Sequence, residues 1–142
     1  MKTKSSHLSR GQSLVELALL LPIFLLLAVV TIDIGRGIYY YSAVFNGARE
    51  GARYGIIYPD DYGGIDTAVR NLAVGLEPSN LYVDTSYPKE KTIQVHVCYN
   101  FILITPFANN LVTNNPCDGT LVGCASEKCV KLESRATMSL ER

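Results

Sequence analysis

The chain lacks tryptophan, has two histidines, and carries no acidic residue before Glu16. One histidine lies near the N-terminus and the other is His96, and no Cys-x-x-Cys pair occurs, so the usual zinc ligand sets are not served. Basic and acidic residues balance at 13 each, which leaves no cationic surplus for nucleic acid. No Ser/His/Asp set, metal-ligand cluster or phosphate-binding loop stands out. The chain therefore reads as a non-enzyme with no cofactor. Charge is also missing throughout residues 17–32, where Pro22 and Thr31 alone interrupt the apolar character.

With Leu14, Val15 and Ile34 that run reaches about 20 residues, enough to cross a bilayer core of roughly 30 Å. Lys2, Lys4 and Arg10 precede it and place the N-terminus on the cytoplasmic side of the membrane. A removable signal peptide is the competing reading. It requires a shorter core and an Ala-x-Ala-like site, and residues 29–33 (Val-Val-Thr-Ile-Asp) do not supply one. A retained anchor is expected, with everything after Gly35 outside.

Between residues 12 and 57 the one proline is Pro22, which a membrane helix tolerates. A helix continuous to about Tyr54 is roughly 65 Å long, about twice what a bilayer uses. The outer half carries Ala43, Gly47, Gly51 and Gly55 at intervals of four, with Ala48 and Ala52 beside them. Each mid-helix glycine costs about 1 kcal/mol relative to alanine, so this seam predicts close approach of another backbone. The alternative is that the glycines break the helix. Asp33 and Arg36, spaced to pair on one helix face, and Tyr39, Tyr40 and Tyr41 are expected to mark the outer membrane interface.

Beyond a Pro/Gly loop at 59–64, residues Ile65, Ala68, Val69, Leu72, Ala73 and Leu76 form one helical stripe, closed by Glu77 and Pro78. Strands are predicted at 81–85, 92–101 and 130–140, the last two alternating with a period of two, Ser134 breaking the apolar face of the third. A polar loop at 109–128 holds three of the four cysteines. Cys98, Cys117, Cys124 and Cys129 fall on the predicted outer side, where two disulfides are expected in any of three pairings; a metal site and free or redox-active thiols are the competing readings. The fold class is α+β: a long membrane-spanning helix continuing outward to pack on a small antiparallel sheet, with one short extra helix and a disulfide-tied loop. The divisions are a basic leader (1–11), a transmembrane helix (12–35), its outward continuation (36–57) and an outer domain (58–142).

At the junction of leader and apolar run stand Gly11, Gln12, Ser13, Leu14, Val15 and Glu16. A lone carboxylate at the edge of a membrane helix is costly and usually functional. A plainer account makes Glu16 a first-turn acid favoured by the helix dipole. Basic leader, Gly, four residues, Glu and apolar helix together resemble the type IV prepilin signature. Residues 10–18, then Leu21-Pro22, Asp33-Ile34-Gly35-Arg36 and residues 48–54 (Ala-Arg-Glu-Gly-Ala-Arg-Tyr) resemble the TadE-like family of minor pseudopilins of the tight-adherence (Flp) pilus system. Two features set the chain apart from the major Flp pilins, Leu17 after Glu16 and the presence of an outer domain, and both favour a minor subunit.

That resemblance implies cleavage by a prepilin peptidase between Gly11 and Gln12. Loss of Lys2, Lys4 and Arg10 from 13 basic residues leaves 10 against 13 acidic. It implies that the new Gln12 amine pairs with Glu16 of a neighbouring subunit, and that Pro22 permits local unwinding. The implied partners are the membrane, the peptidase, other pilin or pseudopilin subunits and inner-membrane assembly proteins. The alternative function is a membrane-anchored binding module or adhesin acting through the 109–128 loop.

Overall fold

The computed structural model describes residues 8–89, 91–105, 117 and 129–139. Its first element, α1 (Leu8–Ile57), is a single helix of 50 residues that passes through Pro22 without a break. At about 1.5 Å per residue it is roughly 75 Å long. Pro59 stops it, because the residue before a proline is pushed out of the helical region. The glycines do not break the helix.

Residues 36–57 of α1 carry a stripe that faces the rest of the protein: Ala43, Val44, Ala48 and Ala52 are buried, and the Gly47–Gly51–Gly55 row lies along it. Against this stripe sit α2 (Tyr62–Leu72) and a three-stranded antiparallel sheet of β1 (Leu81–Lys89), β2 (Thr92–Ile102) and β3 (Cys129–Ser139), in the order β1-β2-β3. Ile93, Val95, Val97, Tyr99 and Phe101 of β2 turn their alternating face inward and are buried, as the period-2 pattern requires. Ile93 lies beside Gly55 and Phe101 beside Gly37, so β2 runs back toward the apolar end of α1 while β1 and β3 run away from it.

The glycines make this packing possible. A Cβ on Gly47 would stand 3.2 Å from Val69 Cγ1 and from the Val69 carbonyl oxygen. On Gly51 it would stand 2.6 Å from Val69 Cγ2 and 3.2 Å from Val95 Cγ1. On Gly55 it would collide with Ile93 Cδ1. The close neighbour along the seam is thus α2 and the sheet of the same chain.

Helix α2 ends earlier than its apolar stripe predicts. It stops at Leu72, not at Glu77 and Pro78, because Gly75 adopts φ +80°, which no right-handed helix contains. The turn folds Ala73 and Leu76 back onto the core, while Leu72 is left largely exposed. At its start, Asp61 caps the helix by accepting from the Gly64 N–H at 2.9 Å. The Tyr54 hydroxyl donates to the same carboxylate at 2.9 Å, tying α2 to α1. Those two donors hold the Asp61 carboxyl below its ordinary pKa. Arg70 pairs with Asp66 at 2.7 Å and donates to the carbonyls of Pro78 and Leu81, fixing α2 to the start of β1. Strand β1 runs four residues past its expected end at Thr85, through a register shift between Ser86 and Lys89. Pro88 is tolerated there because β1 is an edge strand.

Cys98 and Cys117 form a disulfide, and Cys129 is disulfide-bonded as well. Cys124, and the 109–128 loop apart from Cys117, lie outside the described residues.

Gly51→Ala tests the seam. Alanine gains about 1 kcal/mol of helix propensity, but overpacking against two stiff β-branched side chains costs about 1–3 kcal/mol. The expected net effect is destabilisation, read as a lower near-ultraviolet melting temperature in detergent. Gly35→Ala, whose Cβ would meet nothing within 4 Å, is expected to leave that temperature unchanged or raise it.

Candidate functional site: the stem helix and its junction

The inner half of α1 is apolar all the way round. Leu14, Val15, Leu17, Leu19, Leu20, Leu21, Ile23, Phe24, Leu25, Leu26, Leu27 and Ile32 are all exposed in the isolated chain. At about 1.5–3 kcal/mol per buried side chain, transfer of this set from water is favourable by roughly tens of kcal/mol. The helix is long and apolar enough to cross a membrane.

Gly11 and Gln12 lie on the exposed helix surface at the start of this stretch, and nothing stands within 4 Å of a Cβ placed on Gly11. Glu16 is exposed one turn beyond Gln12 and has no hydrogen bond or ion pair among the described residues. Glu16 shares one open surface of the helix with Gly11, Gln12, Val15 and Leu19. Pro22 is exposed within the continuous helix.

Burial on α1 changes at Asp33, which is 3% exposed. Its carboxylate accepts from the Ile104 N–H at 3.0 and 3.1 Å, the Thr105 N–H at 2.8 Å and the Thr105 hydroxyl at 2.5 Å. Arg36 Nη1 is 3.4 Å from the other side of the group. Arg36 also lies over the rings of Tyr40 and Phe101, at 5.6 and 5.3 Å from their centroids. Tyr40 packs edge-on against Tyr99 and Phe101. The Tyr39 hydroxyl donates to the Val74 carbonyl at 2.8 Å. Asp33, Arg36, Tyr39 and Tyr40 thus help to hold the sheet and the α2–β1 turn on the helix, while Tyr39 and Tyr41 both stay about half exposed, at 51% and 49%. The spacing of Asp33, Gly37, Tyr40, Val44 and Gly47 places Asp33 on the buried stripe, and that spacing was the available signal. Its partners at 104 and 105 have no local signature.

Residues 11–53 match the TadE-like protein family. No curated protein and no solved structure matches the chain. The TadE-like stretch holds Gly11, Glu16, Pro22, the Asp33–Arg36 pair and Gly47 and Gly51 of the seam. It ends before α2 and the sheet, which complete the clasp from outside it.

Asp33→Asn removes the charge and part of the acceptor capacity facing the buried donors. The expected cost is about 1–3 kcal/mol. For a domain near 100 residues, each kcal/mol is about 4–8 °C in melting temperature. Amide exchange should rise at Ile104 and Thr105 first, with the β2 amides of Val95 and Val97 still protected.

Proposed function

We propose that the chain is a minor pilin-like subunit of a tight-adherence pilus or related secretion filament, processed between Gly11 and Gln12 by a prepilin peptidase. The observation that carries this reading is the division of one helix into two halves. Residues 11–32 present apolar surface on every side with a single carboxylate, Glu16, and residues 33–57 are covered on one face by the chain's own sheet. A subunit that leaves the bilayer for a filament needs such a stem and such a head. The TadE-like match over the stem supports the same role.

In this reading the leader, 1–11, stays cytoplasmic until removed, the span is 12–35, and the head projects outward from the inner membrane. The new Gln12 amine meets Glu16 of a neighbouring stem in an apolar setting, where pairing favours one stagger because an unpaired charge is costly. Pro22 lacks an N–H, and the helix can loosen there when it leaves lipid. Other pilin or pseudopilin subunits and inner-membrane assembly proteins are the partners.

The adhesin reading draws less support. The fixed points of the cysteine loop are Thr105 at the Asp33 clasp, Cys117 on Cys98, and Cys129 opposite Ile102. All lie toward the membrane end of the sheet. The outer end, near Ile93, is roughly 30 Å from Ile102 at about 3.3 Å per residue.

N-terminal mass spectrometry of the protein from its native membrane tests the proposal. The expected wild-type terminus is Gln12, and Gly11→Ala should retain the leader. Since a Cβ at Gly11 meets nothing, failure of the variant to be cut is not attributable to misfolding. An intact leader in both proteins overturns the proposal.

A further inference from the structure

Asp84 and Arg135 are exposed charges on the outer face of the sheet, and neither has a hydrogen bond or ion pair among the described residues. They sit at one level: Asp84 on β1 and Arg135 on β3 both oppose His96 of β2. Two strand spacings, roughly 10 Å, separate them, too far to pair within one chain. The nearby His96, Glu133 and Lys131 are spoken for, with Glu133 within 3.3 Å of His96 and 3.0 Å of Lys131. Opposite charges thus stand unpaired on opposite edges of one sheet.

Among the described residues neither edge has a second strand partner. β3 makes an unbroken eleven-residue ladder with β2, and no backbone bond joins its other side to any described residue. It has no proline, glycine or bulge to blunt the edge. β1 also has a single strand partner, and its regular part, 81–86, lies between the Arg70 bond to the Leu81 carbonyl and the register shift before Pro88.

We infer that these sheets join edge to edge, β3 of one copy against β1 of a second copy of this chain, with Arg135 beside Asp84. Strand direction selects this pairing. β1 and β3 are both antiparallel to β2 and hence parallel to each other, so a β3–β1 junction keeps every α1 pointing the same way. A two-fold β3–β3 pairing would point the two membrane helices in opposite directions, which one membrane forbids. With no axial offset, Arg135 meets Asp84, Thr137 meets Ser86 and Leu132 meets Leu81. The contact is head-to-tail, so it propagates to further copies. It lies on the head, goes beyond leader processing, and holds with or without the leader.

Ser86→Cys in one full-length copy and Thr137→Cys in a tagged second copy, co-expressed in membranes and treated with a short bis-maleimide, report the junction. The expected product is a tagged–untagged dimer well above either variant alone. Arg135→Asp on the tagged copy should lower its yield about tenfold, as opposed like charges do, and Asp84→Arg on the other copy should restore it. Mapping the Cys98–Cys117 bond verifies the fold of each variant. Absence of the mixed product, an equal yield from Thr137→Cys alone, or indifference to charge reversal overturns the inference.

Discussion

The packing of α2 and the sheet depends on how closely α1 can be approached along Gly47, Gly51 and Gly55. Each glycine gives up about 1 kcal/mol of helix propensity. In return the row lets Ile65 and Val69 of α2 and Ile93 and Val95 of β2 reach the helix surface, all four fully buried. At about 1.5–3 kcal/mol each, their burial outweighs the propensity lost. A larger residue at Gly51 would lift α2 and the sheet together, since Val69 and Val95 both touch that position.

Polar contacts then set the two ends of the packed region. At the outer end Tyr54 and Asp61 join the last turns of α1 to the first of α2. At the inner end Asp33 gathers the two amides and the hydroxyl that follow β2. A buried carboxylate with four donors is costly to disturb, and it occupies the position where the apolar stem gives way to the covered half of the helix. Positioning of the sheet and the limit of the exposed apolar stretch thereby meet at one residue.

Much of this was legible in the sequence because it is periodic. The charge-free run of 17–32 announces the stem, the alternation in 92–101 fixes the inward face of β2, and glycines every fourth residue announce a close contact. What escaped was context. The three tyrosines after the apolar run match an interfacial belt in composition, yet Tyr40 also packs against the core because it shares a helix face with Val44 and Gly47. The end of α2 was hidden because Leu76 keeps the helical period while reaching the core through the Gly75 turn. The partners of Asp33 lie 71 and 72 residues away, and no local pattern links such distances. Cysteine count predicts disulfides without pairing them; the neighbourhood of β2 decides Cys98 with Cys117.

The central claim is that α1 changes environment at Asp33, from lipid or neighbouring stems to the protein's own head. Single cysteines at exposed α1 positions in vesicle-reconstituted protein, probed with a membrane-impermeant maleimide added from the head side, test it most directly. The account predicts no labelling at Leu17 or Phe24 and ready labelling at Tyr41 and Phe45. Equal labelling of Phe24 and Tyr41, or protection that extends unbroken through Phe45, would contradict it.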